Sequence, residues 1–199
     1  MAAAPFIGLT GAIAAGKSEA LAALGRLGAA TLSSDAVVHE LLSSERVREL
    51  LVERWGAEVA PGGEVDRARV GAIVFDQPEE LAWLESALHS LVGERIAAWR
   101  ASLPDDVPLA VVEIPLLFET GLESSFDATI AIVADDATRV ERAGERGTEA
   151  LEGRAARQLS QDEKAARATY VVRNDGAVAD LEAALEALLA EIAARGEAA

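Results

Sequence analysis

Short apolar runs alternate with helical stripes along this chain. Phe6 to Thr10, Ala29 to Leu32, Leu109 to Ile114, Ala128 to Val133 and Tyr170 to Val172 are brief and almost continuously apolar. That is the pattern of parallel strands buried on both faces. Glu19 to Leu24 and Ala36 to Leu42 read as the helices that follow the first two strands. The long interval before the third strand is helical. Leu81, Leu84, Leu88, Val92, Ile96 and Trp99 recur at spacings of three and four, an amphipathic stripe. Pro78, followed by Glu79 and Glu80, suits the start of that helix, and Pro61-Gly62-Gly63 marks a turn ahead of it. Trp55, Trp83 and Trp99 are assigned to the core rather than to a binding platform. A last helix, Leu181 to Ala194, carries Leu181, Leu185, Leu188, Leu189 and Ile192 on one face. The chain is therefore expected to be α/β, with a five-stranded parallel sheet and one helical insertion.

Composition narrows this little. A chain of 199 residues suits one domain, able to bury about 70% of its unfolded surface. It has no Cys, hence no disulfide framework and no thiol chemistry. No apolar run reaches the ~18 residues of a membrane span. The N-terminus lacks the basic region of a signal peptide, so a cytoplasmic location and no membrane partner are expected. No feature assigns an oligomeric state.

Charge changes the picture more. The formal net charge of −16 argues against nucleic acid as a partner. Lysine occurs only at Lys17 and Lys164, so almost all positive charge is arginine. Arg139, Arg142, Arg146, Arg154, Arg157, Arg167 and Arg173 cluster in one stretch. They can form a local anion-attracting patch, or pair as solvated helix residues with Glu141, Glu145, Glu149 and Glu152.

The reason to look for an anion stands near the N-terminus. Residues 11–18 read Gly-Ala-Ile-Ala-Ala-Gly-Lys-Ser, a complete G-x-x-x-x-G-K-[ST] phosphate loop between a predicted strand and a predicted helix. In that setting successive backbone N–H groups converge on one volume and favour a phosphate there. Gly11 and Gly16 permit the close approach, Lys17 reaches the β- and γ-phosphates, and the Ser18 hydroxyl is placed to ligate Mg²⁺. A bare strand-to-helix turn has no need of the Lys-Ser pair. Gly11, Ala12, Ile13, Ala14, Ala15, Gly16, Lys17, Ser18 and Glu19 are thus the candidate residues for binding a nucleoside triphosphate, ATP in the family named below.

Two acidic positions refine the chemistry. Asp35 follows the second strand, at the carboxyl ends where ligands bind in open α/β sheets. A carboxylate there can take the proton of an attacking hydroxyl. The alternative is that Asp35 caps the following helix, although the residue three further on is Val38, so a capping box is absent. Glu113, ending the third strand, is a candidate for the Mg²⁺ shell through water, as is Asp35. No Asn-Lys-x-Asp guanine signature occurs.

Four ordered blocks carry a resemblance. They are Gly8 to Ser18, Ser34-Asp35, the run Pro115-Leu116-Leu117-Phe118-Glu119, and the series Arg139-x-x-Arg142, Gln158 and Asn174-Asp175-Gly176. Asp66-Arg67 and Leu88-His89 agree more weakly. The chain resembles the dephospho-CoA kinases. The resemblance implies a P-loop NTPase-type three-layer sandwich made of a core (1–34, 105–138 and 169–199), a helical acceptor-binding insertion (35–104) and a small helical lid (139–168). It implies ATP and dephospho-CoA as substrates, Mg²⁺ as cofactor, and Asp35, Lys17 and Arg142 as catalytic residues. It places Asn174 by the adenine, and Asp35, His39, Arg67, His89, Pro115, Leu116, Phe118 and Glu119 around the acceptor. His89, next to Leu88, can instead be read as a partly buried structural histidine. This chain departs from the family pattern in four places. His39 stands where Arg is frequent, and Ala12, Ala14 and Ala15 stand where Gly is frequent. Ala168-Thr169 replaces a common Ala-Asp, and the stretch from Arg146 to Gln158 is short.

Overall fold

The computed structural model describes residues 4–144 and 158–196. In chain order these form β1 (Phe6–Gly11), α1 (Lys17–Arg26), β2 (Ala30–Ser33), α2 (Ser34–Leu42), α3 (Glu45–Trp55), α4 (Arg67–Phe75), α5 (Pro78–Ala101), β3 (Ala110–Glu113), β4 (Ala128–Val133), α6 (Asp136–Gly144), α7 (Gln161–Arg167), β5 (Tyr170–Arg173) and α8 (Val178–Gly196). Contacts divide the chain into two compact units, one of residues 1–33 with 103–199 and the other of residues 34–102. Residues 145–157, in the middle of the expected lid, lie outside the described residues.

In the first unit a parallel sheet of five strands runs in the order β2-β3-β1-β4-β5. The burial of the strands follows that order. β1 and β3 are wholly buried, whereas the edge strands β2 and β5 are half-exposed. Alternation along β1 then assigns its side chains to two layers. Ile7 and Leu9 point to one face, where Leu24 of α1 and Leu181, Leu185, Leu188 and Ile192 of α8 form the main core. Phe6, Gly8 and Thr10 point to the other. There Phe6 stacks on Phe126 at 4.5 Å, a Cβ on Gly8 would come within 2.9 Å of Leu117, and Thr10 meets Lys164 of α7. Helices and a covering loop thus close both faces, giving three layers.

The second unit is four helices, α2 to α5, and two short 3₁₀ turns. Two helix starts are fixed by side chains. The Ser44 hydroxyl accepts from Val47 N at α3, and the Asp66 carboxylate accepts from Ala68 N and Arg69 N at α4. Val47, Leu51, Val59, Val70, Leu84 and Leu91 form a separate core. Trp55 and Trp83 pack against it edge to face at 5.2 Å. Trp99 is half-buried and is not a member of that cluster, which corrects its assignment to the core. It sits near the C-terminal end of α5, beyond Leu84 and Leu91, the buried residues of that helix.

Glu80 ties α3 to α5. Its carboxylate accepts from Arg54 at 2.7 and 2.9 Å and from the Trp55 indole N–H at 2.8 Å. The hydrogen bonds from Arg54, and then from Trp55, hold the Glu80 carboxyl below its ordinary value of 4.5. A lowered folded value stabilises the fold at pH above the unfolded value, and that contribution disappears as pH falls through the folded one. We expect Glu80→Gln to lower the melting temperature at neutral pH and to lose less between neutral pH and pH 3 than the parent does. Parallel melting curves for the two proteins would refute this.

Candidate phosphate-binding site

The loop between β1 and α1 has the geometry of an anion cradle. Gly16 adopts φ +94°, a left-handed conformation that ends the loop and opens α1. A Cβ at Gly16 would run into the Asn174 side-chain nitrogen, and one at Gly11 into the Ile132 carbonyl oxygen. Both positions therefore require glycine for space. Ala14 is the one non-glycine residue with positive φ, at +61°, among the described residues. There the alanine carries backbone strain of order 1–2 kcal/mol. The N-terminal N–H groups of α1 and its dipole face the same volume. Lys17 Nζ donates to the carbonyls of Gly11 and Ala12, both at 3.0 Å, which lays the ammonium across the loop.

Two further segments of this unit, the one after β5 and helix α6, converge on the loop. Asn174, following β5, is buried, and its Nδ2 donates to the Ala15 carbonyl at 2.9 Å. Its own carbonyl accepts from Arg142 Nη1 at 3.0 Å. That guanidinium would stand 3.7 Å from a Cβ at Gly16. Arg142 thus reaches the loop from α6, whereas Arg139, one turn earlier, pairs with Asp136 at 3.0 Å. Asp175 completes the join by accepting from Asp135 N at 2.6 Å. Asp135 in turn accepts from the Thr138 hydroxyl and N–H at the start of α6, and these bonds lower its carboxyl pKa. Asn174-Asp175 is therefore the piece that fixes α6 and the phosphate loop in one arrangement.

Of the other arginines in the cluster, Arg167 pairs with Glu123 and Arg173 with Asp175. Of the glutamates expected as partners, only Glu141 lies among the described residues, and it pairs with neither. Arg146, Arg154 and Arg157 lie outside the described residues.

At the end of β3, Glu113 is buried and accepts from the Ser33 hydroxyl at 2.8 Å. After it, Pro115 to Glu119 form a turn in which Leu117 and Phe118 are buried. Glu119 accepts from Leu159 N at 2.8 Å and pairs with Lys164 at 2.9 Å. Ser18 is exposed at the start of α1, and its hydroxyl has no hydrogen bond among the described residues. An uncommitted hydroxyl beside a phosphate cradle fits Mg²⁺, which takes oxygen donors and shares them with phosphates. Glu19 is turned along α1 to Arg26 at 3.0 Å.

In the helical unit, Asp35 is exposed in the first turn of α2. The helix begins one residue earlier, at Ser34, so the capping role does not apply. His39 follows one turn later on the same face. Arg67 Nη1 lies 2.9 Å from His39 Nδ1, and its Nη2 donates to the His39 carbonyl at 3.4 Å. His39 and Arg67 are therefore joined. His89 is exposed on α5, which removes the buried-histidine reading, and shares no hydrogen bond with that pair. Lys164 was not singled out by the sequence. It sits in Gln-Asp-Glu-Lys-Ala-Ala-Arg, a stretch with the look of a solvated helix.

The dephospho-CoA kinase family model matches residues 5–180. A protein named dephospho-CoA kinase from Synechococcus sp. (strain CC9902) is 39% identical over 189 residues, spanning 92% of this chain and 94% of its own. One from Thermus thermophilus is 36% identical, spanning 94% and 91%. Among solved structures, a Thermus thermophilus protein superposes with TM-score 0.81 at 36% identity, covering 96% of this chain and 98% of its own. A shikimate kinase from Bacteroides thetaiotaomicron, at TM-score 0.52 and 14% identity over 94% and 98%, shares the fold. The chain belongs to the dephospho-CoA kinase family.

The Asn174 bond to Ala15 yields a prediction. Asn174→Leu leaves a loop carbonyl without its donor, and an unmade buried hydrogen bond costs about 1–3 kcal/mol. Chemical denaturation of the variant is expected to show a loss in that range, with weaker ATP binding by calorimetry. Unchanged stability and ATP affinity would contradict the clamp.

Proposed function

We propose that this member of the dephospho-CoA kinase family moves the γ-phosphoryl group of ATP to the ribose 3′-hydroxyl of dephospho-CoA, giving coenzyme A and ADP. This is the last step of coenzyme A biosynthesis, and we assign it to the cytoplasm. The observation that carries the reading is the convergence of Lys17, Asn174 and Arg142 on a glycine-bounded loop at the start of α1.

Phosphoryl transfer needs positioning and charge stabilisation more than covalent work. In this reading the loop from Gly11 to Ser18 holds the triphosphate through backbone N–H groups. Lys17 and Arg142 offset charge on the equatorial oxygens of the transferring group. Asp35 accepts the proton of the attacking hydroxyl. Its exposed carboxylate, with no hydrogen bond or ion pair among the described residues, is available for that task. Pro115, Leu116, Phe118, Glu119, His39, Arg67 and His89 are assigned to the acceptor. Mg²⁺, bound with the nucleotide, neutralises phosphate charge; Ser18 would hold it, with Asp35 or Glu113 behind it.

The direct test is a coupled assay of ADP release over a panel of acceptors. Dephospho-CoA is expected to raise ADP release sharply, with shikimate, gluconate and nucleoside monophosphates near background. Equal rates with shikimate would refute the assignment. Asp35→Asn keeps the side chain's size but cannot take up a proton, so kcat is expected to fall by ~10² to 10⁴ with ATP affinity retained. A near-parental kcat would remove Asp35 from the chemistry.

A second pair of variants separates the arginines. A guanidinium fork holding two phosphoryl oxygens is poorly replaced by lysine, and such an arginine is worth ~10³ to 10⁵ in rate. Single-turnover transfer is expected to be severely impaired in Arg142→Lys, worse in Arg142→Ala, and much less affected in Arg139→Ala. The reverse order for Arg139 and Arg142 would reassign the role.

A further inference from the structure

One of the two lysines of this chain is entirely buried. Lys164 has 0% exposure, in the middle of α7. Burying an ammonium costs heavily unless each of its donors is met, and here all three are. Nζ donates to the Pro115 carbonyl at 2.6 Å, to Glu119 at 2.9 Å and to Thr10 Oγ1 at 3.5 Å. The Thr10 hydroxyl also donates to the Pro115 carbonyl, at 3.3 Å. Replacing the whole Lys164–Glu119 pair by apolar side chains of similar volume would avoid that desolvation cost. What it would not do is join three separate backbone segments.

Those segments matter for where they lie. Thr10 is the residue of β1 immediately before Gly11, the first residue of the phosphate loop. Pro115 and Glu119 are the two ends of the run after β3. Pro115 has no N–H to donate, so its carbonyl is the handle by which its position can be fixed. Glu119 is held a second time by Leu159 N at 2.8 Å, at the approach to α7. We propose that Lys164 is a positioning residue: it locks the Pro115–Glu119 run to the carboxyl end of β1 and so sets the affinity for the acceptor. This rests on the reading above that the run lines the acceptor pocket.

The test uses the full chain with Lys164→Met, which keeps volume and removes the charge, and the milder Glu119→Gln, which retains an oxygen for Leu159 N. Hydrogen exchange reads the anchoring itself. The amides of Gly121 and Leu122 bond to carbonyls inside the run, those of Phe118 and Leu117. Their exchange is expected to quicken by a factor of about ten in Lys164→Met, while Ala20, bonded to the Gly16 carbonyl, keeps its parental rate. Steady-state kinetics reads the consequence. KM for dephospho-CoA is expected to rise by about tenfold in Lys164→Met and by less in Glu119→Gln, with KM for ATP within about twofold of the parent.

Unchanged exchange at Gly121 and Leu122 would overturn the proposal. So would equal quickening at Ala20, or equal rises in both KM values, since each marks a general loss of stability. If Lys164→Met does not fold, the exchange contrast between Gly121 and Leu122 on one side and Ala20 on the other in Glu119→Gln decides the matter, since Glu119 is itself assigned to the acceptor. Should the parent itself not use dephospho-CoA, the acceptor assignment fails, and the exchange result still decides whether Lys164 anchors the run.

Discussion

A chain with net charge −16 that must hold a polyphosphate depends on local positive potential that its overall composition opposes. The fold supplies it mostly without charged side chains. The loop between β1 and α1 turns its N–H groups to one point, with the dipole of α1 behind them. Several features of the first unit serve this arrangement. Gly11 and Gly16 keep the space clear of Cβ atoms, Asn174 grips the loop by the Ala15 carbonyl, and Lys17 and Arg142 are the cations held beside it. Lose the shape of the loop and the acidic surface would repel the ligand.

The parallel sheet explains why these groups meet at all. In the order β2-β3-β1-β4-β5, β1 sits in the centre, so the segments after β3 and β4 flank the phosphate loop. Glu113 and the Pro115 run arrive on one side, α6 with Arg142 on the other. Lys164 joins the first of these to β1, and Asp175 joins the turn before α6 to the loop after β5. Lys164, fully buried, and Asp175, exposed, are thus polar anchors between backbone segments that the apolar core does not join directly.

Much of this was legible because period and punctuation were strong. The apolar run Ala128 to Val133 is β4 residue for residue, and the face of Leu181, Leu185, Leu188 and Ile192 packs as expected. The phosphate loop declared itself by spacing. Helix ends drifted by a few residues, as at α2, which starts at Ser34 and not after Asp35. What the sequence hid was tertiary. Nothing in the neighbourhood of Lys164 signals burial, although the Ser160 to Glu163 pattern does announce the capping box that opens α7. Nor does Asn174 reveal in sequence that its amide grips a carbonyl distant in the chain. Trp99 shows the opposite error, since helical spacing identified a stripe but not where along α5 the core ends.

The central claim is that the cradle and its cations direct the γ-phosphoryl group to a sugar hydroxyl and not to water. Phosphorus NMR of a reaction containing ATP, Mg²⁺ and dephospho-CoA follows both fates at once. The account predicts one new ribose 3′-phosphomonoester resonance, growing in step with ADP. Inorganic phosphate growing in its place, with no monoester, would contradict it.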